Sequence, residues 1–142
     1  MKKRCSDIMT RDVACCVPED TVEYAAQRMR SEDVGPIPVV DSHESKRLVG
    51  IITDRDLTVK VIAEGRDPKS TRVQEIMTSD PVTCNENDNV KDAMKAMSSH
   101  QVRRIPIVTD DDRIVGIVSQ ADIATRVGDA EKTGDVVEEI SQ

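Results

Sequence analysis

Two stretches of the chain place a hydroxyl and a carboxylate three positions apart directly after an apolar run: Gly50-Ile51-Ile52-Thr53-Asp54-Arg55-Asp56 and Gly116-Ile117-Val118-Ser119-Gln120-Ala121-Asp122. In both, the apolar run is β-prone and a helix-like stretch follows, from Leu57 and from Ile123. A strand-to-helix corner leaves backbone N–H groups without intrahelical partners, which suits a phosphate. Ser/Thr-x-x-Asp at a helix start is also a capping box, in which the hydroxyl and the carboxylate each take up one orphan N–H and whose loss costs about 1 kcal/mol. Both readings stand for either copy alone; duplication inside a longer repeat favours a site.

The repeat extends well beyond the corners. Cys5-Ser6-Asp7-Ile8-Met9-Thr10 returns as Val73-Gln74-Glu75-Ile76-Met77-Thr78, an offset of 68 residues. A short β-prone run, Val13 to Val17, is stopped by Pro18-Glu19-Asp20, and its counterpart, Pro81 to Cys84, by Asn85-Glu86-Asn87-Asp88. A helix follows in each copy, on the apolar faces Val22, Ala25, Ala26, Met29 and Val90, Ala93, Met94, Met97. Tyr24 lies off that face and belongs to surface or interface. Val34 to Val40 then matches Val102 to Val108 as a strand entered through an Ile-Pro step, which a missing ladder donor should confine to a strand start or edge. Polar turns (Asp41 to Lys46; Thr109 to Asp112) lead into the strands that end at the corners, and the second helix of copy one runs to about Glu64. The expected division is 1–65 for the first repeat, 66–73 for the linker, 74–128 for the second repeat and 129–142 for an acidic tail or short closing helix.

Composition narrows the function classes. At 142 residues and 37% apolar content the chain can bury a core, either as one domain or as two small packed halves. No apolar run is long enough to span a bilayer, and the basic start Met1-Lys2-Lys3-Arg4 leads into polar Ser6-Asp7, which places the protein in the cytoplasm. A net charge of −7, partly from the tail, argues against nucleic acid as a partner. Tyr24 is the single aromatic residue, so stacking platforms are missing too. Cys5, Cys15, Cys16 and Cys84 show no metal-finger spacing with each other or with His43 and His100, and Cys16 and Cys84 read as small buried apolar residues.

The order strand, helix, strand, strand, helix, repeated with Ile-Met-Thr openings, Ile-Pro strands and Gly-Ile-Ile/Val-Thr/Ser-x-x-Asp corners, resembles a tandem pair of cystathionine β-synthase (CBS) domains from about Cys5 to Gly128. The resemblance implies an α/β fold of two β-α-β-β-α repeats packed sheet to sheet with pseudo-twofold symmetry, two such pairs meeting as a homodimer. It also implies regulation through adenosine-containing ligands (AMP, ADP, ATP or S-adenosylmethionine); no cofactor is expected to be required, and the cysteine and histidine spacing gives no metal site. On that reading Asp56 and Asp122 accept from a ribose diol, and Thr53 and Ser119 sit where helix-start N–H groups meet phosphate. Arg103 and Arg104 resemble the basic residues that reach phosphates, and surface salt bridges are the alternative for them. The adenine would rest near Val13, Ala14, Ile37 and Pro38, or near Val82, Thr83, Ile105 and Pro106. Gly35 and Pro36 stand where the arginines stand in the second copy, so the expected stronger site joins Thr53 and Asp56 to Arg103 or Arg104.

Three classes of function compete. A non-enzymatic regulatory module serving a separately encoded effector protein leads; a purely structural dimerisation module whose corners are only caps comes second. An enzyme using the cysteines or histidines comes last, because no nucleophile has an orienting base at recognisable spacing.

Overall fold

The computed structural model describes residues 3–126; the expected acidic tail or closing helix at 129–142 lies outside them. The fold is mixed α/β with two three-stranded sheets. Chain order is α1 (Cys5–Ile8), α2 (Val22–Glu32), β1 (Pro36–Val40), β2 (Leu48–Thr53), α3 (Asp54–Asp56) running on as a π-helix (Leu57–Ile62), α4 (Val73–Ile76), β3 (Thr78–Ser79), β4 (Cys84–Asn85), α5 (Val90–His100), β5 (Arg104–Val108), β6 (Ile114–Ser119) and α6 (Gln120–Arg126).

The chain forms two compact units, and they do not follow the sequence repeats. One is continuous, Ala14–Pro81; the other is split, joining the residues up to Val13 to those from Val82 onward. In the continuous unit the order is β1-β2-β3, with β3, from the start of the second repeat, added antiparallel to β2 at Gly50↔Ser79 and Ile51↔Thr78. In the split unit the order is β4-β5-β6, and the chain's opening segment takes the corresponding place. Thr10 exchanges two backbone hydrogen bonds with Ile117, of 2.8 and 3.0 Å. Each repeat's Ile-Met-Thr opening thus completes the unit that holds the other repeat's strands. Its apolar residues follow: Ile8 and Met9 are buried in the core with Met94, Ile105 and Val118, and Val73 and Ile76 in the core with Val22, Ile37 and Ile52.

Glycine makes this docking possible. A Cβ on Gly50 would stand 2.6 Å from Met77 Sδ, and one on Gly116 2.6 Å from Met9 Sδ, closer than real Cβ atoms approach. The two glycines of the Gly-Ile-Ile/Val runs are therefore seats for the two methionines, the same pairing in both units.

The early β-prone runs are shorter than their composition suggests. Only Cys16 of Val13 to Val17 is bridged, in parallel to Val39, and the counterpart begins at Cys84. Cys16 donates to Pro38 O at 3.0 Å and Val40 donates to Cys16 O at 2.9 Å. The next step toward the N-terminus needs Pro38 to donate to the carbonyl of Ala14, and proline has no N–H. Pro106 ends the β4–β5 pairing before Val82 in the same way. Pro38 lies in β1, an edge strand in the order β1-β2-β3, as expected, whereas Pro106 lies inside β5, the central strand of its sheet, against the expectation of a strand start or edge. The cost of the missing donor falls instead on the neighbour, which stops pairing.

Two details of the helices also differ. Ala26 is exposed, although its counterpart Met94 is buried. Of the apolar residues after Thr53 only Val61 is buried, while Val59 and Ile62 are 48% and 73% exposed, because the segment winds as a π-helix and does not present one α-helical face.

Candidate functional site

Both corners form the capping box in full. At the first, Thr53 N–H donates to Asp56 Oδ2 (2.9 Å) and Asp56 N–H donates to Thr53 Oγ1 (3.1 Å). At the second, Ser119 N–H donates to Asp122 Oδ2 and Asp122 N–H to Ser119 Oγ, both at 3.0 Å. The same substitution pattern thus yields the same local geometry, as the spacing dictates. Box formation does not exhaust the carboxylates: an ionised carboxylate offers about four acceptor positions, and the box takes one. Asp56 spends a second on Lys60, whose Nζ stands 3.3 Å from Oδ1. Asp122 accepts from Thr10 Oγ1 at 3.3 Å. One acceptor direction remains on each oxygen of Asp56, so a vicinal diol taken by both oxygens would meet Lys60 at Oδ1.

The neighbours of the two corners differ in charge. In the split unit Arg104 pairs with Ser119 across the β5–β6 ladder, and Gln120 N–H donates to Arg103 O at 3.0 Å, so two exposed guanidinium residues flank Ser119 and Asp122. In the continuous unit Pro36 pairs with Thr53 and Asp54 N–H donates to Gly35 O at 3.1 Å. There a carboxylate takes the corresponding place: Asp54 Oδ2 lies 3.2 Å from where a Gly35 Cβ would stand. Arg103 and Arg104 therefore share a unit with Asp122, and Thr53 with Asp56 belongs to the other.

The adenine candidates divide similarly. Ala14, Ile37 and Pro38 lie in the continuous unit; Val13, Val82, Thr83, Ile105 and Pro106 lie in the split one. Ile37 and Ile105 are fully buried in their cores, so backbone is what they offer a ligand. The missing ladder donor of the Ile-Pro step is plain in the sequence, but its consequence is not: the N–H absent at Pro38 and Pro106 leaves the carbonyls of Ala14 and Val82 without the donor that a continued ladder would supply.

The thiols are placed for packing. Burial, with Cys84, Asp88 and Asp92 nearby, pushes the Cys5 thiol up from 9.0 to about 12. Cys16 rises to about 12 by burial and the nearby Asp20, and Cys84 to about 11 by burial and the nearby Asp88 and Asp92. Cys15 is also raised by burial, against the opposing pull of Lys46 and Arg28. Among the described residues no cluster of three or more His, Cys, Asp or Glu could hold a metal ion. No helix among them is long and apolar enough to cross a membrane.

The sequence profile of the CBS domain matches residues 5–62 and 73–129. The chain belongs to the CBS domain family. Among CBS proteins it is similar to the CBS domain-containing protein YhcV of Bacillus subtilis, with 41% identity over 135 residues, 95% of this chain and 93% of that protein. The crystal structure of Hypoxic Response Protein I, with two coordinated zinc ions, matches with a TM-score of 0.77 and 36% identity, over 86% of this chain and 97% of that one. The CBS domain pair of protein MJ0100, in complex with 5′-methylthioadenosine and S-adenosylmethionine, matches with a TM-score of 0.78 and 29% identity, over 90% and 98% of the two chains. The CBS pair as a fold is thus one that holds adenosine-containing ligands in a relative.

Proposed function

We propose that this CBS pair is a non-catalytic regulatory module that binds an adenosine-containing ligand at its Thr53–Asp56 and Ser119–Asp122 corners. The observation that carries the reading is the pairing of each corner with a proline gap in the same unit. The Asp56 carboxylate keeps acceptor capacity for the ribose diol, and the carbonyls of Ala14 and Val82 are acceptors for an adenine amino group. Arg103 and Arg104 supply charge for phosphates, which favours AMP, ADP or ATP wherever they reach the ligand. The relative's complex with S-adenosylmethionine and methylthioadenosine supports the adenosine class.

Calorimetric titration of the purified chain with ATP, AMP, S-adenosylmethionine and 5′-methylthioadenosine tests this. At least one is expected to bind, with a loss of about tenfold or more when Asp56 or Asp122 becomes Ala, since a hydrogen bond to a charged group contributes about 1.5 to 3 kcal/mol. Binding that ignores both substitutions overturns the assignment of the corners. Arg104→Ala should weaken ATP more than 5′-methylthioadenosine, which has no phosphate.

The module acts in the cytoplasm as a homodimer and reports ligand occupancy to an effector protein. All four cysteines are free, as a reducing compartment requires. Tyr24 on α2 is 40% exposed, and Val59 and Ile62 on the π-helix are more so, exposed apolar side chains that a second copy would cover. Sedimentation at micromolar concentration should give the dimer mass; a monomer rejects it.

A further inference from the structure

The Lys60 ammonium stands between two groups from different parts of the continuous unit. Its Nζ is 3.3 Å from Asp56 Oδ1 and 3.1 Å from the carbonyl oxygen of Ile76. Ile76 closes α4, and the last carbonyls of a helix have no intrahelical partner, so a cation there is both donor and favourable charge. From Ile76 the chain passes through Met77, seated on Gly50, into β3 at the edge of β2. Lys60 therefore fastens the opening segment of the second repeat to the carboxylate proposed for ligand.

The split unit ties the corresponding parts by other means. Thr10 is the counterpart of Thr78 in the repeat, and its hydroxyl donates to Asp122 at 3.3 Å. In both units the corner carboxylate holds the segment that arrives from the other repeat. One tie uses a neutral hydroxyl, the other an ammonium that is 46% exposed in its side chain. The Asp56 side chain is only 14% exposed, whereas water can take over the more exposed ammonium's hydrogen bonds, so the lysine is the member that leaves when another donor reaches the carboxylate. Its place in a π-helical turn, where Ala63 N–H reaches Thr58 O at 2.9 Å, puts it on a segment type found often at functional sites.

We propose that Lys60 is a latch: a ligand whose hydroxyls take Asp56 Oδ1 displaces the ammonium, and the hold on Ile76 and the Val73–Ser79 segment is loosened. This rests on the adenosine-ligand reading of the corner. It supplies the differential contact that any ligand-driven shift requires, since a ligand with equal affinity for two states shifts neither.

Hydrogen exchange at the amides of residues 77–79, with and without saturating 5′-methylthioadenosine or ATP, tests the latch in wild-type protein, Lys60→Met and Lys60→Arg. Wild type should exchange several-fold faster in this segment with ligand. Lys60→Met should be fast already without ligand and unresponsive to it, while binding the ligand equally or about threefold more tightly because no competitor must leave. Lys60→Arg should restore the response. A purely structural lysine would change the baseline but leave the ligand response intact in Lys60→Met, and that result overturns the latch. Calorimetric binding that persists alongside an unchanged response overturns the latch alone; no binding of either probe overturns the ligand reading with it.

Discussion

Replacing Gly116 by Ala should detach the chain's opening segment from the split unit. The added Cβ would stand 2.6 Å from Met9 Sδ, 2.8 Å from Met9 Cγ and 2.8 Å from Thr10 O. Methionine is adaptable and can withdraw its side chain, at the cost of the packing that holds it at 3% exposure. The Thr10 carbonyl is backbone, and it accepts the 3.0 Å bond from Ile117 N–H, so moving it breaks that bond and strains its 2.8 Å partner. Overpacking costs about 1 to 3 kcal/mol and each lost backbone bond about 1 kcal/mol, which puts Gly116→Ala at about 3 kcal/mol. Urea unfolding should show that loss, and limited proteolysis should release residues up to Val13 first. Met9→Ala in the same chain should recover only part of it, since the carbonyl clash remains. Gly65→Ala is the control. It meets nothing within 4 Å, and its φ of +68° costs about 1 kcal/mol for a residue with a Cβ. A Gly116→Ala protein within 0.5 kcal/mol of wild type, a margin ordinary for surface changes, would refute the reasoning.

Thr21→Ala removes the hydroxyl that accepts from Tyr24 N–H at 3.1 Å and should cost about 1 kcal/mol in a urea titration. Pro106→Ala restores an N–H opposite the Val82 carbonyl: exchange at residue 106 should become slow as β4 lengthens, and adenosine-ligand affinity should fall several-fold; affinity that is unchanged despite a protected amide would remove Val82 from the site. The raised thiols make stability depend on alkaline pH. Cys5, Cys16 and Cys84 have folded values of about 12, 12 and 11 against an ordinary 9.0, so the native state keeps protons that the unfolded chain releases. Their contribution is fully present below pH 9 and is lost as pH rises toward 11 to 12. A urea midpoint that stays flat from pH 9 to 11 contradicts this.

Much of the candidate site's local geometry was legible because it needs only neighbouring residues. A hydroxyl and a carboxylate three residues apart after a β-prone run can close a capping box whatever surrounds them, and both corners did. The helices α2 and α5 follow equally from the spacing of Val22, Ala25 and Met29 and of Val90, Ala93 and Met97, since a 3.6-residue period needs only its own chain. Period and offset, however, are the same whether an Ile-Met-Thr opening packs on its own repeat or on the other one. Only the tertiary structure decided that Thr10 would bond Ile117 and Thr78 would pair with Ile51, because that choice depends on which glycine seat a methionine can reach. Likewise Pro38 announces a missing donor, but not that Ala14 would be the residue left facing it. Lys60 reads in sequence as one more cation on a helix, four residues after an aspartate. It acquires a second partner only when folding brings the carbonyl of Ile76, sixteen residues away in the chain, within 3.1 Å of its ammonium.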